Sequence, residues 1–148
     1  MKYIKLFVVL LAASLAITSC KCHKDTPIVN VKVEFNPDDI WELTLMQGKA
    51  VKHLEGQKTI YIQLNPEAGT FNGSNGCNQY SGRFKDFANG EMILSDFNGS
   101  KTACPEQIHK AESDYMALLR RCNGYILGEY TLELTQNGKV LLTFEKTK

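Results

Sequence analysis

Tyr130-Thr131-Leu132-Glu133-Leu134-Thr135-Gln136-Asn137-Gly138-Lys139-Val140-Leu141-Leu142-Thr143-Phe144 is the stretch that decides the fold. Tyr130, Leu132 and Leu134 fall on one face of an extended chain, and Val140, Leu142 and Phe144 return along it after Gln136-Asn137-Gly138. Period-two alternation marks half-buried strands, and Asn-Gly accepts the positive φ angles of a tight hairpin turn. The stretch therefore predicts an antiparallel hairpin. Its turn dipeptide recurs: six of the eleven glycines follow Asn, at positions 73, 76, 90, 99, 124 and 138. Short alternating runs lie between them. Ile60, Ile62 and Leu64 oppose Thr59, Tyr61 and Gln63; Tyr80, Gly82 and Phe84 oppose Gln79, Ser81 and Arg83. Val29, Val31, Val33 and Phe35 also alternate with polar neighbours, giving either a first strand or an extended arm before Pro37-Asp38-Asp39.

One segment has another period. Ile108, Ala111, Tyr115, Leu118, Leu119 and Cys122 recur at helical spacing, with Pro105 suited to the first helical position, Glu106 to the positive end and Arg120-Arg121 to the negative end. A single amphipathic helix over about 105–122 is expected to cover the open end or side of a sheet. The expected class is all-β with one helix, a small antiparallel barrel or strongly curved sheet.

The 148 residues are 43% hydrophobic and 22% charged, with a formal charge of +1. Disordered and collagen-like classes are excluded, and no basic field exists for a phosphate backbone, so no nucleic-acid partner is expected. Residues 1–19 read as an export signal, with Lys2 and Lys5 ahead of the apolar run from Leu6 to Ala13. That run is too short for a stable membrane span. Ile17-Thr18-Ser19-Cys20 resembles the lipobox of bacterial lipoproteins, which implies cleavage before Cys20 and acylation of that residue. Acyl chains would anchor the mature chain to a bilayer. Loss of Lys2 and Lys5 turns the formal charge to −1, so attraction to anionic lipid contributes little. Residues 20–39 form a lipidated N-terminus, a polar tether and the candidate first strand. Lys21, in place of an acidic residue after Cys20, leaves out an inner-membrane retention signal of the enterobacterial kind and points to the outer membrane, on its periplasmic or surface face.

Of the five cysteines, Cys22, Cys77, Cys104 and Cys122 remain after Cys20 is assigned to lipid, an even number for a compartment where disulfides persist. Three pairings exist. Cys77 with Cys104 is favoured because each closes a similar segment, Phe71-Asn72-Gly73-Ser74-Asn75-Gly76-Cys77 and Phe97-Asn98-Gly99-Ser100-Lys101-Thr102-Ala103-Cys104. Cys22 and Cys122 either form a second bridge or stay thiols.

Candidate chemistry is thin. His23, His53 and His109 stand in no nucleophile–base signature with a Cys, and acylated Cys20 has no thiolate to offer a metal with Cys22 and His23. Asp38-Asp39 suits a turn, and Glu112 with Asp114 suits a solvated helix face. No catalytic, metal or cofactor residue is expected. A recognition surface is the better functional candidate: Asn72, Asn75, Asn78 and Asn98, with Ser74, Ser100 and Thr102, gather on the two Cys-closed loops, and Tyr61 and Tyr125 fall at outward or irregular positions. Turn chemistry alone also explains these Asn and Ser residues. Trp41 reads as core packing rather than a stacking platform.

In order along the chain, Trp41-Glu42-Leu43, Gly48, Gly76-Cys77-Asn78 with Tyr80-Ser81-Gly82, Thr102-Ala103-Cys104, Tyr115-Met116-Ala117-Leu118-Leu119 and Tyr130-Thr131-Leu132-Glu133-Leu134 resemble the META domain, or HslJ-like, family. The resemblance covers about Ile40 to Lys146, within a domain taken as 40–148. It implies an antiparallel β-barrel or curved sheet with one helix, a place in the bacterial envelope, a Cys77–Cys104 bridge and no known catalytic centre. The expected function is a lipid-anchored envelope protein that binds or scaffolds, serving envelope maintenance or stress response, with an envelope protein or a small molecule as partner. Two alternatives are a calycin-like carrier with an interior cavity for an apolar ligand and a Cys-dependent redox protein or enzyme.

Overall fold

The computed structural model describes residues 34–147. Residues 29–33 of the candidate strand or arm over 29–35, the leader, Cys20 and Cys22 lie outside the described residues, and residues 34–36 are not in a strand. The elements run β1 (Trp41–Met46), β2 (Lys49–Ala50), β3 (Ile60–Asn65), β4 (Thr70–Asn75), β5 (Gln79–Ala88), β6 (Glu91–Gly99), α1 (Glu106–Leu119), β7 (Gly124–Leu127), β8 (Thr131–Gln136) and β9 (Lys139–Lys146). All strand pairings are antiparallel, in the order β2-β1-β3-β4-β5-β6-β7-β8-β9, and β1 also pairs with β9. That last pairing curves the sheet into a ring, so the expected all-β architecture with one helix is the one observed.

Asn-Gly works as read in two of its six places. Asn137 (φ 50°) and Gly138 (φ 79°) turn β8 into β9, and Asn89 (φ 53°) and Gly90 (φ 85°) turn β5 into β6. Both central residues have positive φ, which matches the twist of the flanking strands. Gln47 (φ 49°) and Gly48 (φ 75°) make the same turn between β1 and β2 without an Asn. At two strand positions glycine serves contact rather than turning. A Cβ on Gly73 in β4 would collide with the backbone oxygen of Tyr61 and the hydroxyl of Tyr80, and one on Gly82 in β5 would meet the ring of Phe71. Bare backbone at these two points lets aromatic side chains approach the sheet closely.

Ile60, Ile62 and Leu64 are all buried, as their alternation predicts, along with Leu132, Leu134, Leu142 and Phe144. Trp41 is core, 1% exposed. Tyr130 departs from the expectation at 63% exposure. The Gly128 N–H donates to Thr131 O, so Tyr130 sits in the turn ahead of β8 and not on its inner face. Leu141 is buried although the alternation places it outward, because the β8–β9 register slips between Leu134 and Thr135 and the bulge turns Leu141 and Leu142 inward together. Phe71 packs against Tyr80, Phe84 and Phe97, and Tyr115 against Tyr80 and Phe144.

Side chains close both ends of the ring. At one end α1 lowers Ile108, Tyr115, Leu118 and Leu119 onto the core. At the other, Phe35 meets Trp41, Phe87 and Tyr125 edge-on. Pro105 is the residue before the helix (φ −51°, ψ 146°) rather than its first member. The helix stops at Leu119, so Arg120 and Arg121 follow its last turn, and Gly124 opens β7. Among the described residues no helix is long and apolar enough to cross a membrane.

Candidate functional site

The end of the ring covered by α1 carries both clusters that merit attention. The first is the rim. Cys77, in the β4–β5 loop, is bonded to Cys104, one residue before Pro105, with a Cα–Cα distance of 6.2 Å. The favoured pairing is therefore the one the structure forms, and it ties the loop to the start of α1. Around it, Asn75 Oδ1 accepts from the backbone N–H groups of Cys77 (3.1 Å) and Asn78 (2.7 Å). Asn78 Oδ1 accepts from Thr102 N–H (2.7 Å) and Ser100 Oγ (2.9 Å). Both amide nitrogens turn to the helix: Asn75 Nδ2 donates to Glu112 Oε1 at 2.7 Å, and Asn78 Nδ2 to the same oxygen at 3.2 Å.

Glu112 corrects the sequence reading. It was expected on a solvated face, yet its side chain is only 15% exposed and it holds two buried amides. Its other oxygen lies 3.3 Å from His109 Nδ1. Beneath it, Tyr80 Oη donates to the backbone oxygen of Tyr61 (3.1 Å) and so receives its bond from Tyr115 Oη at 2.6 Å. Burial pushes both phenol pKa values up, and at Tyr80 the neighbouring Tyr115 adds to the effect. These groups satisfy one another. The rim is a clamp whose polar atoms are already spent.

The six residues expected to form one recognition surface are dispersed. Asn75 and Asn78 are buried in the clamp. Asn72 and Asn98 lie exposed across β4, β5 and β6, aligned through Ser81. Tyr61 is half-buried on β3 with its hydroxyl 3.2 Å from Gln79 Oε1. Tyr125 stacks on Phe87 at 4.8 Å at the opposite end of the ring. Cys122 is a free, buried thiol whose Sγ donates to Leu118 O at 3.3 Å, and the second bridge open to it with Cys22 involves a residue outside the described ones. Burial pushes its pKa up to about 12, only partly offset by the charge of Arg121. That thiol is a poor nucleophile. His53 and His109 are exposed, and no cluster of metal-ligating side chains occurs among the described residues.

The second cluster is a groove between α1 and the β1–β2 hairpin, of about 590 Å³. Met46, Val51, Leu54, Ile60 and Leu118 make its floor, and Lys49, Lys52, Asp114 and Arg121 its rim. Gln57 forms part of the wall, 7% exposed. Its Oε1 accepts the Leu54 N–H at 3.0 Å, which fixes the amide's orientation, and its Nε2 has no partner. Sequence reasoning missed this site because Val51, Leu54 and Gln57 fall between strands, in a segment without period.

No curated protein matches the chain. Among solved structures it is similar to an NMR structure of a protein from Burkholderia xenovorans, at 23% identity over 85% of this chain and 97% of that one, TM-score 0.57. A second NMR structure matches at 23% identity over 74% and 89%, TM-score 0.55. A crystal structure of a DUF4847 family protein from Bacteroides vulgatus shares 17% identity over 76% and 94%, TM-score 0.49. The first two likenesses show a shared fold. Residues 34–148 match the model of the META domain, so the chain belongs to the META domain family.

Proposed function

We propose that this chain is a lipid-anchored protein of the bacterial envelope, bound through Cys20 and directed to the outer membrane, whose META domain binds a partner or small ligand and performs no catalysis. The envelope role is maintenance or stress response. The observation that carries the reading is the Cys77–Cys104 bridge: it locks the rim to α1 and belongs to an oxidising compartment, where the leader and the Ile17-Thr18-Ser19-Cys20 motif would send the chain. The buried Cys122 thiol and the self-satisfied rim support binding over catalysis. Trp41, Phe71, Tyr115 and Phe144 fill the ring, which supports a ligand held outside it over cargo carried within.

The test is mass spectrometry of the protein gently extracted from its own membranes, joined to membrane fractionation of a Cys20→Ser variant. Acylation at Cys20, release of the variant from the outer membrane fraction and a mass gain of two hydrogens on reduction are expected. An unmodified Cys20, or a variant that stays with the membrane, refutes the anchor.

A further inference from the structure

The rim clamp, the Tyr80–Tyr115 pair and Cys122 all have their partners, whereas the groove beside α1 leaves polar groups of both kinds unanswered. We infer that this groove binds an amphipathic anion: an apolar acyl or aromatic body with a hydrogen-bond acceptor inside it and a carboxylate-type head at one end. The inference rests on the binding role proposed above and names its ligand class.

Three features point the same way. The floor is apolar yet half-open, since Met46, Val51 and Leu54 keep part of their surface in water while Ile60 and Leu118 lie beneath. Covering such surface is favourable, and about 590 Å³ lies within the range of small-molecule sites. The rim is cationic in a chain whose formal charge is only +1. Lys49 and Lys52 make no ion pair among the described residues, and Arg121 donates to the neutral Gln136 Oε1 at 2.9 Å. The lone rim acid, Asp114, is already held by Lys110 Nζ at 2.9 Å. Three cations thus face the groove without a carboxylate, complementary to a negative head.

The third feature is Gln57. Gln57 lines the groove with its amide N–H buried and without an acceptor, which costs free energy that a ligand oxygen entering beside it would recover once the side chain shifts to expose the N–H. One inner donor and a charged rim suit a molecule whose acceptor sits within its apolar body. An extended peptide is a poorer match, because the neighbouring edge strand, β2, is only two residues long and offers too few main-chain groups for strand addition.

The probe is N-octanoylglycine, which has an acyl chain, an amide carbonyl and a carboxylate. It is titrated against the whole isotope-labelled chain in zwitterionic phosphatidylcholine nanodiscs, with amide resonances as the readout and N-octanoylglycinamide and octanoate as comparators. Saturable shifts are expected at Val51, Leu54, Gln57 and Leu118. The uncharged amide should bind about five- to tenfold more weakly, the effect of losing two or three exposed cation contacts, and octanoate, lacking the inner carbonyl, more weakly than the probe. Lys49→Gln with Lys52→Gln, two exposed positions, should erase most of the charge preference with the fold intact. Ala117→Phe, also exposed and on the groove wall, should abolish the shifts. Absence of saturable shifts at millimolar probe, equal binding of the charged and neutral amides, or shifts that persist in folded Ala117→Phe overturns the inference. So does concentration-dependent dimerisation that Ala117→Phe removes, which would make a second copy the occupant. None of these results bears on acylation at Cys20, so the anchor and the groove stand or fall separately.

Discussion

Glu112 is the residue whose replacement most directly tests the reading of the rim as a clamp. Its Oε1 accepts from Asn75 Nδ2 and Asn78 Nδ2, and the Asn75 amide has no other acceptor. Hydrogen bonds to a charged group contribute about 1.5–3 kcal/mol each, and a buried donor left alone costs about 1–3 kcal/mol. The 2.7 Å bond lies at the strong end, the 3.2 Å bond at the weak end, and Asn78 retains Thr102 O as an alternative acceptor at 3.3 Å. Because the Glu112 side chain is 15% exposed, water can enter the space it leaves and recover part of the loss. Glu112→Ala should therefore destabilise the oxidised protein by about 2–3 kcal/mol, and lower Tm by on the order of 10 °C. Glu112→Gln keeps an acceptor oxygen in place and loses only the charge assistance, so about 1 kcal/mol is expected. Urea unfolding followed by the fluorescence of Trp41, the single tryptophan, measures both. Equal effects of the two variants, or neither differing from the parent by more than about 0.5 kcal/mol, the usual range of surface substitutions, would refute the clamp and return Glu112 to the solvated face.

Reducing the Cys77–Cys104 bridge, which spans 27 positions, should cost about 3–4 kcal/mol by loop-closure entropy, read from urea curves with and without reductant. Because burial lifts the Cys122 pKa from 9.0 to about 12, the folded state keeps a proton that the unfolded chain sheds first. The contribution is whole below pH 9 and falls by up to about 1.4 kcal/mol per pH unit toward pH 12; Cys122→Ala should flatten this part of the alkaline stability profile. The native thiol should resist alkylation at pH 8 and react once urea unfolds the chain, and rapid native labelling would contradict its burial. Gly138→Ala has open space around it but a φ of 79°, so only about 1 kcal/mol is expected, whereas Gly73→Ala meets the Tyr61 oxygen and Tyr80 hydroxyl and should prevent the native ring from forming, as circular dichroism would show.

Strand and helix periodicity made most of the architecture legible. Ile60, Ile62 and Leu64 carry their inward face openly, and Ile108, Tyr115, Leu118 and Leu119 likewise carry the helix. What escaped was anything set by contacts across the ring. The burial of Leu141 follows from a register slip that no local pattern encodes. Glu112 looks like any surface acid until Asn75 and Asn78 are brought against it by a bridge closing at position 104. Asn-Gly misled in the opposite direction: at 72–73 it reads as a turn, but the glycine is there to let Tyr80 pass over β4. The groove was invisible because its walls come from a hairpin and a helix some 60 positions apart, as Lys49 and Ala111 illustrate.

The ring is closed by the first and last strands of the described domain. Trp41 is opposite Lys146, and the Thr147 hydroxyl bonds to Ile40 O across a separation of 107 residues. Equilibrium stability suffers little, since closure entropy grows only with the logarithm of loop length, but the rate of folding depends on how far apart along the chain the contacts lie. During synthesis β1 therefore waits for a partner that is the last strand of the described domain to be made. Its open edge and that of β8 stay available to other chains throughout that interval. A chain cut short before Lys139 thus loses more than one strand: it keeps two raw edges, and becomes a seed for aggregation.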